Sequence, residues 1–478
     1  MPKKLARTLW IAAAAWCGSN LAQAETLLEI YQLAMDNAPQ VKAAEANYRA
    51  GKEALPQARA GLLPNISGSY DYQDGDGNQN VSRVLGADFV SRAPGDFDDE
   101  TETYRLSLTQ PVFNLPAWFN FQRGKVLDAR AASQFSVDQQ AILLEVTDAY
   151  FGVLRAGENL VSAEAEERAI ARQLEQTKER FDVGLVPITD VHEAQAAYDT
   201  ATVNTLEAKS ALNIAFEALE VLTGRPHDHL VGLAASFPVT KPEPLDAESW
   251  VKFAQDNNFA LEVSRLDMES ARRGADIAKS GHAPTVTASI DYQKSQNQGV
   301  LNRDAGILNP TTGLIDPALR QPFVNDIEST VFGVSLNVPI FSGGLVSSQR
   351  RQAYQEWMRA QENYVLAQRN TPQDARSRHL QVLTDAARIQ ARRQAVTSAQ
   401  SALDATQAGY EVGTRNIVDV LISQRTLYQA QRDYANARFD YINSMLRLRE
   451  IAAQLGPGDV EQINRWLDPN LNVGKAAQ

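Results

Sequence analysis

Three stretches of this chain occur twice, about 220 to 230 residues apart, so one structural unit used twice must account for most of the 478 residues. LLPNISGSYDYQ from Leu62 returns as HAPTVTASIDYQ from His282, and LSLTQPVF from Leu106 returns as VSLNVPIF from Val334. RFDVGLVPITDVHEAQ from Arg180 returns as GYEVGTRNIVDVLISQ from Gly409. Each copy holds strand-like segments, a long heptad-patterned stretch and a glycine turn.

The amino terminus carries Lys3, Lys4 and Arg7, an apolar run from Leu9 to Cys17, and Ala22-Gln23-Ala24. That order reads as a secretory signal peptide over residues 1–24, leaving Glu25 first, because the apolar run is too short to span a bilayer. Cys17 is the single cysteine and follows Trp16 rather than the small residue a lipid-attachment site needs. The exported chain is therefore expected to have no thiol, which excludes disulfides, cysteine catalysis and cysteine-based metal sites. Formal charge is -12 and becomes -15 once the three leader cations are removed, a balance that excludes nucleic acid as a partner. Past the leader no apolar run is long enough for a membrane helix, so any crossing must be made by strands.

Four segments alternate with a period of two. Ile66, Tyr70 and Tyr72 alternate with Ser67, Ser69, Asp71 and Gln73; Tyr104, Leu106 and Leu108 with Arg105, Ser107 and Thr109. Val286, Ala288, Ile290 and Tyr292 alternate with Thr285, Thr287, Ser289 and Asp291; Phe332, Val334, Leu336, Val338 and Ile340 with Gly333, Ser335 and Asn337. Each run is about 9 to 11 residues, the length of a tilted strand crossing a bilayer. Polar segments from Asp74 to Thr103 and from Lys294 to Thr330 are expected as long outer loops. Pro64 and Pro284 mark strand entry, and Pro111 and Pro339 strand exit. Four strands cannot close a barrel and open edges are not tolerated in lipid, so several chains must contribute; two give about 8 strands and three about 12, which begins to leave a lumen.

The rest is read as helix. Val191, Ala194, Tyr198, Ala201, Thr205, Ala208, Leu212, Ala215, Leu219 and Leu222 step by three and four, a heptad seam. Val420, Ser423, Leu427, Ala430, Tyr434, Ala437, Tyr441, Ser444, Leu448 and Ile451 repeat it. Trp118 to Val183 predicts one helix of roughly 100 Å, and Val346 to Val412 its counterpart, kinked at Pro372. Shorter helices are expected over Thr26–Arg59, with a Thr26/Glu29 capping box, and over Asp246–Lys279, with Asp246 as cap. The domain reading is a first repeat at 25–224, a proline-rich linker at 225–245, a second repeat at 246–456 and an irregular tail at 457–478. The glycine turns are expected at the end farthest from the membrane.

VGLVPITDV at Val183 and VGTRNIVDV at Val412 resemble the two helix-hairpin tips of the TolC family of trimeric outer-membrane channel-tunnels, and the resemblance covers nearly the whole exported chain. It implies a homotrimer with a 12-stranded membrane β-barrel continued into the periplasm as an α-helical coiled-coil barrel, with a mixed equatorial region at 225–245 and the C-terminal segment. It further implies a passive, non-enzymatic duct without cofactors, for type I protein secretion and/or efflux of small toxic compounds. The implied partners are outer-membrane lipid, a periplasmic adaptor (membrane fusion) protein and an inner-membrane ABC or proton-driven transporter. Thr189, Asp190, Tyr410 and Arg415 match the positions of a gate latch. Asp419 matches the first acidic position of a constriction ring, whose second position is here Ile422. Val183, Gly184, Leu185, Val412, Gly413 and Thr414 match the adaptor-contacting tips.

Asp74, Asp76 and Asn78 imitate the start of a calcium loop, but Gln79 stands where glycine is required and Leu85 where an acid is, so a flexible loop is expected. His227 and His229 lack a third ligand and read as surface loop, and Arg392-Arg393 as a solvated helix face. No nucleophile elbow, phosphate loop or dinucleotide fingerprint is present. The remaining alternative is a barrel-anchored coiled coil with a structural or adhesive role and no transport.

Overall fold

The computed structural model describes residues 24–84, 90–303, 314 and 319–476. The leader up to Gln23, and Leu85 of the calcium-loop imitation, lie outside them. Helices α1 (Leu27–Asn37), α2 (Pro39–Lys52) and α3 (Ala54–Ala60) lead into strands β1 (Asn65–Val84) and β2 (Val90–Asn114). Two long helices follow, α4 (Leu115–Asp182) and α5 (Ile188–Thr223), then the short strand β3 (His229–Leu233). The order recurs with α6 (Ala247–Asn257), α7 (Phe259–Lys279), β4 (Thr285–Arg303), β5 (Leu319–Asn337), α8 (Leu345–Glu411) and α9 (Ile417–Ile451). Helix α10 (Pro457–Asn464) and strand β6 (Leu467–Gly474) end the described chain.

The chain divides into two compact units, one made of Gly51–Ala129 and Leu266–Gln361, the other of the remainder. In the first, β1-β2-β4-β5 form one antiparallel sheet. The strands run 20, 25, 19 and 19 residues, twice the expected span, and the segments expected as loops from Asp74 and Lys294 are mostly strand. Apolar alternation marks only the part of a strand with an apolar face, whereas the ladder is held by backbone groups and continues under polar side chains. Cross-strand polar contacts accompany it: Thr103 and Ser295 hydroxyls lie 3.1 Å apart, Ser107 donates to Asp291 at 2.6 Å, and Gln298 to Glu100 at 3.1 Å. Asp74, Asp76 and Asn78 are therefore strand, not flexible loop. Asp74 stands opposite Glu100 and Asp76 opposite Asp98, exposed pairs whose repulsion water screens.

The other unit has an aromatic core. Tyr150, Phe151, Phe216, Phe439 and Tyr441 are all at most 2% exposed, with Phe151 and Phe439 rings 5.9 Å apart. Burying each such side chain contributes about 1.5–3 kcal/mol. The Tyr150 hydroxyl donates to the Val231 carbonyl at 2.6 Å, and burial pushes that phenol well above its ordinary range. Of the heptad seams, Ala194, Ala201, Thr205, Leu212, Leu219 and Leu222 are buried in the first, and Val420, Leu427, Ala430, Ala437, Tyr441 and Leu448 in the second.

Several expectations need correction in this unit. The helix expected over Thr26–Arg59 breaks at Ala38, whose ψ of 126 follows from the steric demand of Pro39. The helix over Asp246–Lys279 breaks at Asn258, whose side chain accepts from Leu261 N at 2.8 Å and caps α7. Both predicted caps form: Glu29 N donates to Thr26 at 3.3 Å and Ser249 N to Asp246 at 2.9 Å, the latter bond holding the Asp246 carboxyl below its usual range. Helix α8 continues through Pro372, beside which the Thr371 hydroxyl donates to the Ala367 carbonyl at 2.9 Å.

Residues 225–245 and the tail after Gly456 are not irregular throughout. Strand β3 pairs with β6, and Val460 and Ile463 of α10 are buried. His227 is not surface loop: it is buried, 2.6 Å from the Thr223 hydroxyl and bonded to the Glu25 carboxylate. His229 begins β3, and no metal-holding cluster occurs among the described residues. Arg392 is not merely solvated, since it pairs with Asp433 at 2.8 Å.

Candidate functional site

The two glycine turns are built alike. Gly184 and Gly413 sit at φ 77 and 78, a left-handed conformation in which a Cβ would be strained. At the first turn Gly184 N donates to Phe181 O at 2.8 Å and Leu185 N to Arg180 O at 2.8 Å. At the second, Gly413 N donates to Tyr410 O at 3.1 Å and Thr414 N to Gly409 O at 2.9 Å. Both are Schellman caps, which satisfy the last carbonyls of α4 and α8 and turn the chain back sharply. Asn416 then caps α9, accepting from Asp419 N at 2.8 Å, while α5 starts after Pro187 with Asp190 in its first turn. Beyond the caps, Val183, Leu185 and Val412 are exposed by 71%, 71% and 75%, an unusual concentration of large apolar side chains on a turn.

The residues matched to a latch are not joined within one chain. Thr189 is exposed, its hydroxyl 3.4 Å from its neighbour Asp190, and among the described residues neither is hydrogen-bonded or ion-paired with Tyr410 or Arg415. Arg415 crosses Gly409 so closely that a Cβ there would lie 2.8 Å from the arginine Cγ, and its guanidinium reaches Asp419 at 3.8 Å. Asp419 thus already faces a cation, while Ile422, one turn on, is 53% exposed.

Tyr410 occupies a more unusual setting. Its ring packs between the cluster of Ile170, Ala201, Ile417 and Leu421 and that of Leu403, Val420 and Leu427. The Arg180 guanidinium lies over that ring, 4.9 Å from its centre. Its hydroxyl is buried with no hydrogen-bond partner among the described residues, a state that native proteins rarely leave unexplained. Arg180 was not among the residues singled out from sequence. The repeat nevertheless carried a signal, because Arg180-Phe181 of one copy aligns with Gly409-Tyr410 of the other: cation and phenol stand on different copies and meet only on folding. Gln424, whose Oε1 is also buried without a partner, gave no such signal.

Among the described residues no helix is long and apolar enough to cross a membrane, a statement that does not bear on the sheet. The profile of the family "Outer membrane efflux protein" matches residues 30–225 and 250–454. "Outer membrane protein TolC" of Vibrio cholerae is 34% identical over 459 residues, covering 96% of this chain and 98% of that protein. The Escherichia coli protein of the same name is 35% identical over 462 residues, covering 95% and 87%. The solved outer membrane protein VceC of Vibrio cholerae superposes with a TM-score of 0.69 at 18% identity, covering 90% of this chain and 96% of that one, and so shows the fold. The chain belongs to the outer membrane efflux protein family and is a TolC-family outer-membrane channel protein, a non-enzymatic transport component.

Proposed function

We propose that three copies of this chain close a twelve-stranded barrel and continue as a helical duct into the periplasm. The observation that carries this is the open sheet. Among the described residues β1 and β5 each have one ladder edge without a partner over about 20 residues, and in hydrocarbon every unpaired backbone group costs several kcal/mol. Pairing β1 of one copy with β5 of the next satisfies both edges. The exposed alternating residues Ile66, Tyr70, Tyr72, Leu106, Phe332, Val334 and Leu336 then face lipid. Residues 1–24 serve as the signal; 25–224 and 246–456 act as the repeats, with 225–245 and 457–478 around the waist.

The duct is passive and serves type I protein secretion and/or efflux of small toxic compounds. A Dickeya chrysanthemi relative called "Proteases secretion protein PrtF" and a Brucella suis relative called "Outer membrane efflux protein BepC" support the two arms. Energy comes from an inner-membrane ABC or proton-driven transporter, coupled through a periplasmic adaptor that docks on Val183, Gly184, Leu185, Val412, Gly413 and Thr414. Thr189, Asp190, Tyr410 and Arg415 latch neighbouring hairpins across the subunit boundary, and three copies of Asp419 ring the constriction. The Arg415 side chain supports this, since it is 61% exposed and held only at 3.8 Å by Asp419, free to reach an acceptor on a neighbouring hairpin.

In energised cells lacking their own channel, expression of this chain should lower steady-state accumulation of a fluorescent efflux dye severalfold, and only while adaptor and inner-membrane transporter are present. Accumulation unchanged with both present, or lowered without them, would overturn the duct as a coupled component.

A further inference from the structure

Within the unit that holds the sheet, α7 and α8 enclose a groove of about 700 Å³ whose walls carry Arg272, Lys279, Arg350 and Arg351, with Tyr354 and Trp357 beside them. Its one acid, Asp276, already faces Arg273 at 3.6 Å. Among the described residues Arg272 reaches only Glu269, at 3.5 Å, and the side chains of Lys279, Arg350 and Arg351 make no ion pair or hydrogen bond. In a chain of net charge -12, a groove with this excess of unpaired cations attracts an anion. The first repeat shows the contrast. There Trp118 and Phe121 lie 6.0 Å apart and Lys125 sits 4.6 Å over the Phe121 ring, so that cation is already engaged.

The neighbourhood identifies the anion. Lys279 lies six residues before Thr285, where β4 begins, and between β5 and α8 stand Ile340 and Phe341, 88% and 85% exposed. From the strand end along α8 the order is apolar Ile340 and Phe341, then Arg350 and Arg351, then Tyr354 and Trp357 in T-shaped contact at 5.6 Å, the residue types found where a protein leaves hydrocarbon for the headgroup layer. Guanidinium groups bind phosphate oxygens through paired hydrogen bonds, and neighbouring Arg350 and Arg351 can share one phosphate with Lys279. We propose that the α7–α8 groove binds the phosphate headgroup of an anionic glycerophospholipid in the leaflet facing the helical duct. The leaflet rests on the barrel reading above; the binding is measured apart from it.

The test uses the full-length protein in neutral detergent, titrated with dioleoylphosphatidylglycerol, with dioleoylphosphatidylcholine, and with inorganic phosphate alone, while the mass of the assembly is followed in parallel. Phosphatidylglycerol should bind about tenfold more tightly than phosphatidylcholine, and R350Q/R351Q should remove about that tenfold while the assembly stays intact. Lys279→Gln, a milder change on the other wall, should lower affinity about threefold, and Arg359→Gln, exposed on α8 outside the groove, should change nothing. Equal affinity for the two lipids, or unchanged binding in both groove variants, overturns the proposal. Free phosphate binding as tightly as the lipid overturns the lipid as ligand. Loss of assembly with R350Q/R351Q, with lipid affinity kept in Lys279→Gln, would mean that a second copy's carboxylates fill the groove, and overturns it too. Failure of the barrel reading would show instead in the assembly mass.

Discussion

Tyr410→Phe combined with Arg415→Ser is expected to raise the conductance of the assembled channel in planar bilayers about tenfold. Each change deletes donors and little else. The phenylalanine ring keeps its place between the two apolar clusters and under Arg180, and serine relieves the crowding of Arg415 over Gly409. What is lost is a hydroxyl with no partner inside the chain and a guanidinium held only at 3.8 Å by Asp419. Hydrogen bonds to charged groups contribute roughly 1.5–3 kcal/mol each, so losing two per subunit boundary moves a closed-to-open equilibrium by more than one decade. Unchanged conductance in a correctly assembled channel rejects the latch and leaves the four residues as turn chemistry.

The second large effect is on stability. Arg432→Met should destabilise the helical unit by about 3–5 kcal/mol, because it strands the carboxylate of Glu166. Glu166 is 3% exposed on α4, and Arg432 of α9 donates to it at 2.7 Å. A buried ion pair is costly to assemble and costlier to halve, so Glu166→Leu with Arg432→Met should recover most of the loss. Thermal denaturation of the three variants checks this. A single variant that melts with the parent would show that water reaches Glu166 and that the pair carries little.

Much of this was legible in the chain because periodic patterns report burial. The seams from Val191 and Val420 were readable since heptad stepping and burial have the same cause, and both Schellman turns since each needs a glycine at one position. The strands were read at half their length, because Thr101, Gln296 and Asn297 hold a ladder through backbone groups that side-chain polarity does not reveal. Ala38 could have been found from Pro39, whereas Asn258 looks like any polar helix residue until its side chain caps the next helix. Strands β3 and β6 escaped because each is short, β6 is rich in turn residues, and the two pair across about half of the chain. Arg180 with Tyr410 and Glu166 with Arg432 join the two copies, and local pattern carries no information on such contacts.

Completion of the four-stranded sheet by other copies of the same chain is the proposal on which the duct stands. Native mass spectrometry of the detergent-released protein tests it most directly. Three chains per assembly is the predicted mass; a monomer, or a dimer whose eight strands would enclose only side chains, contradicts the account.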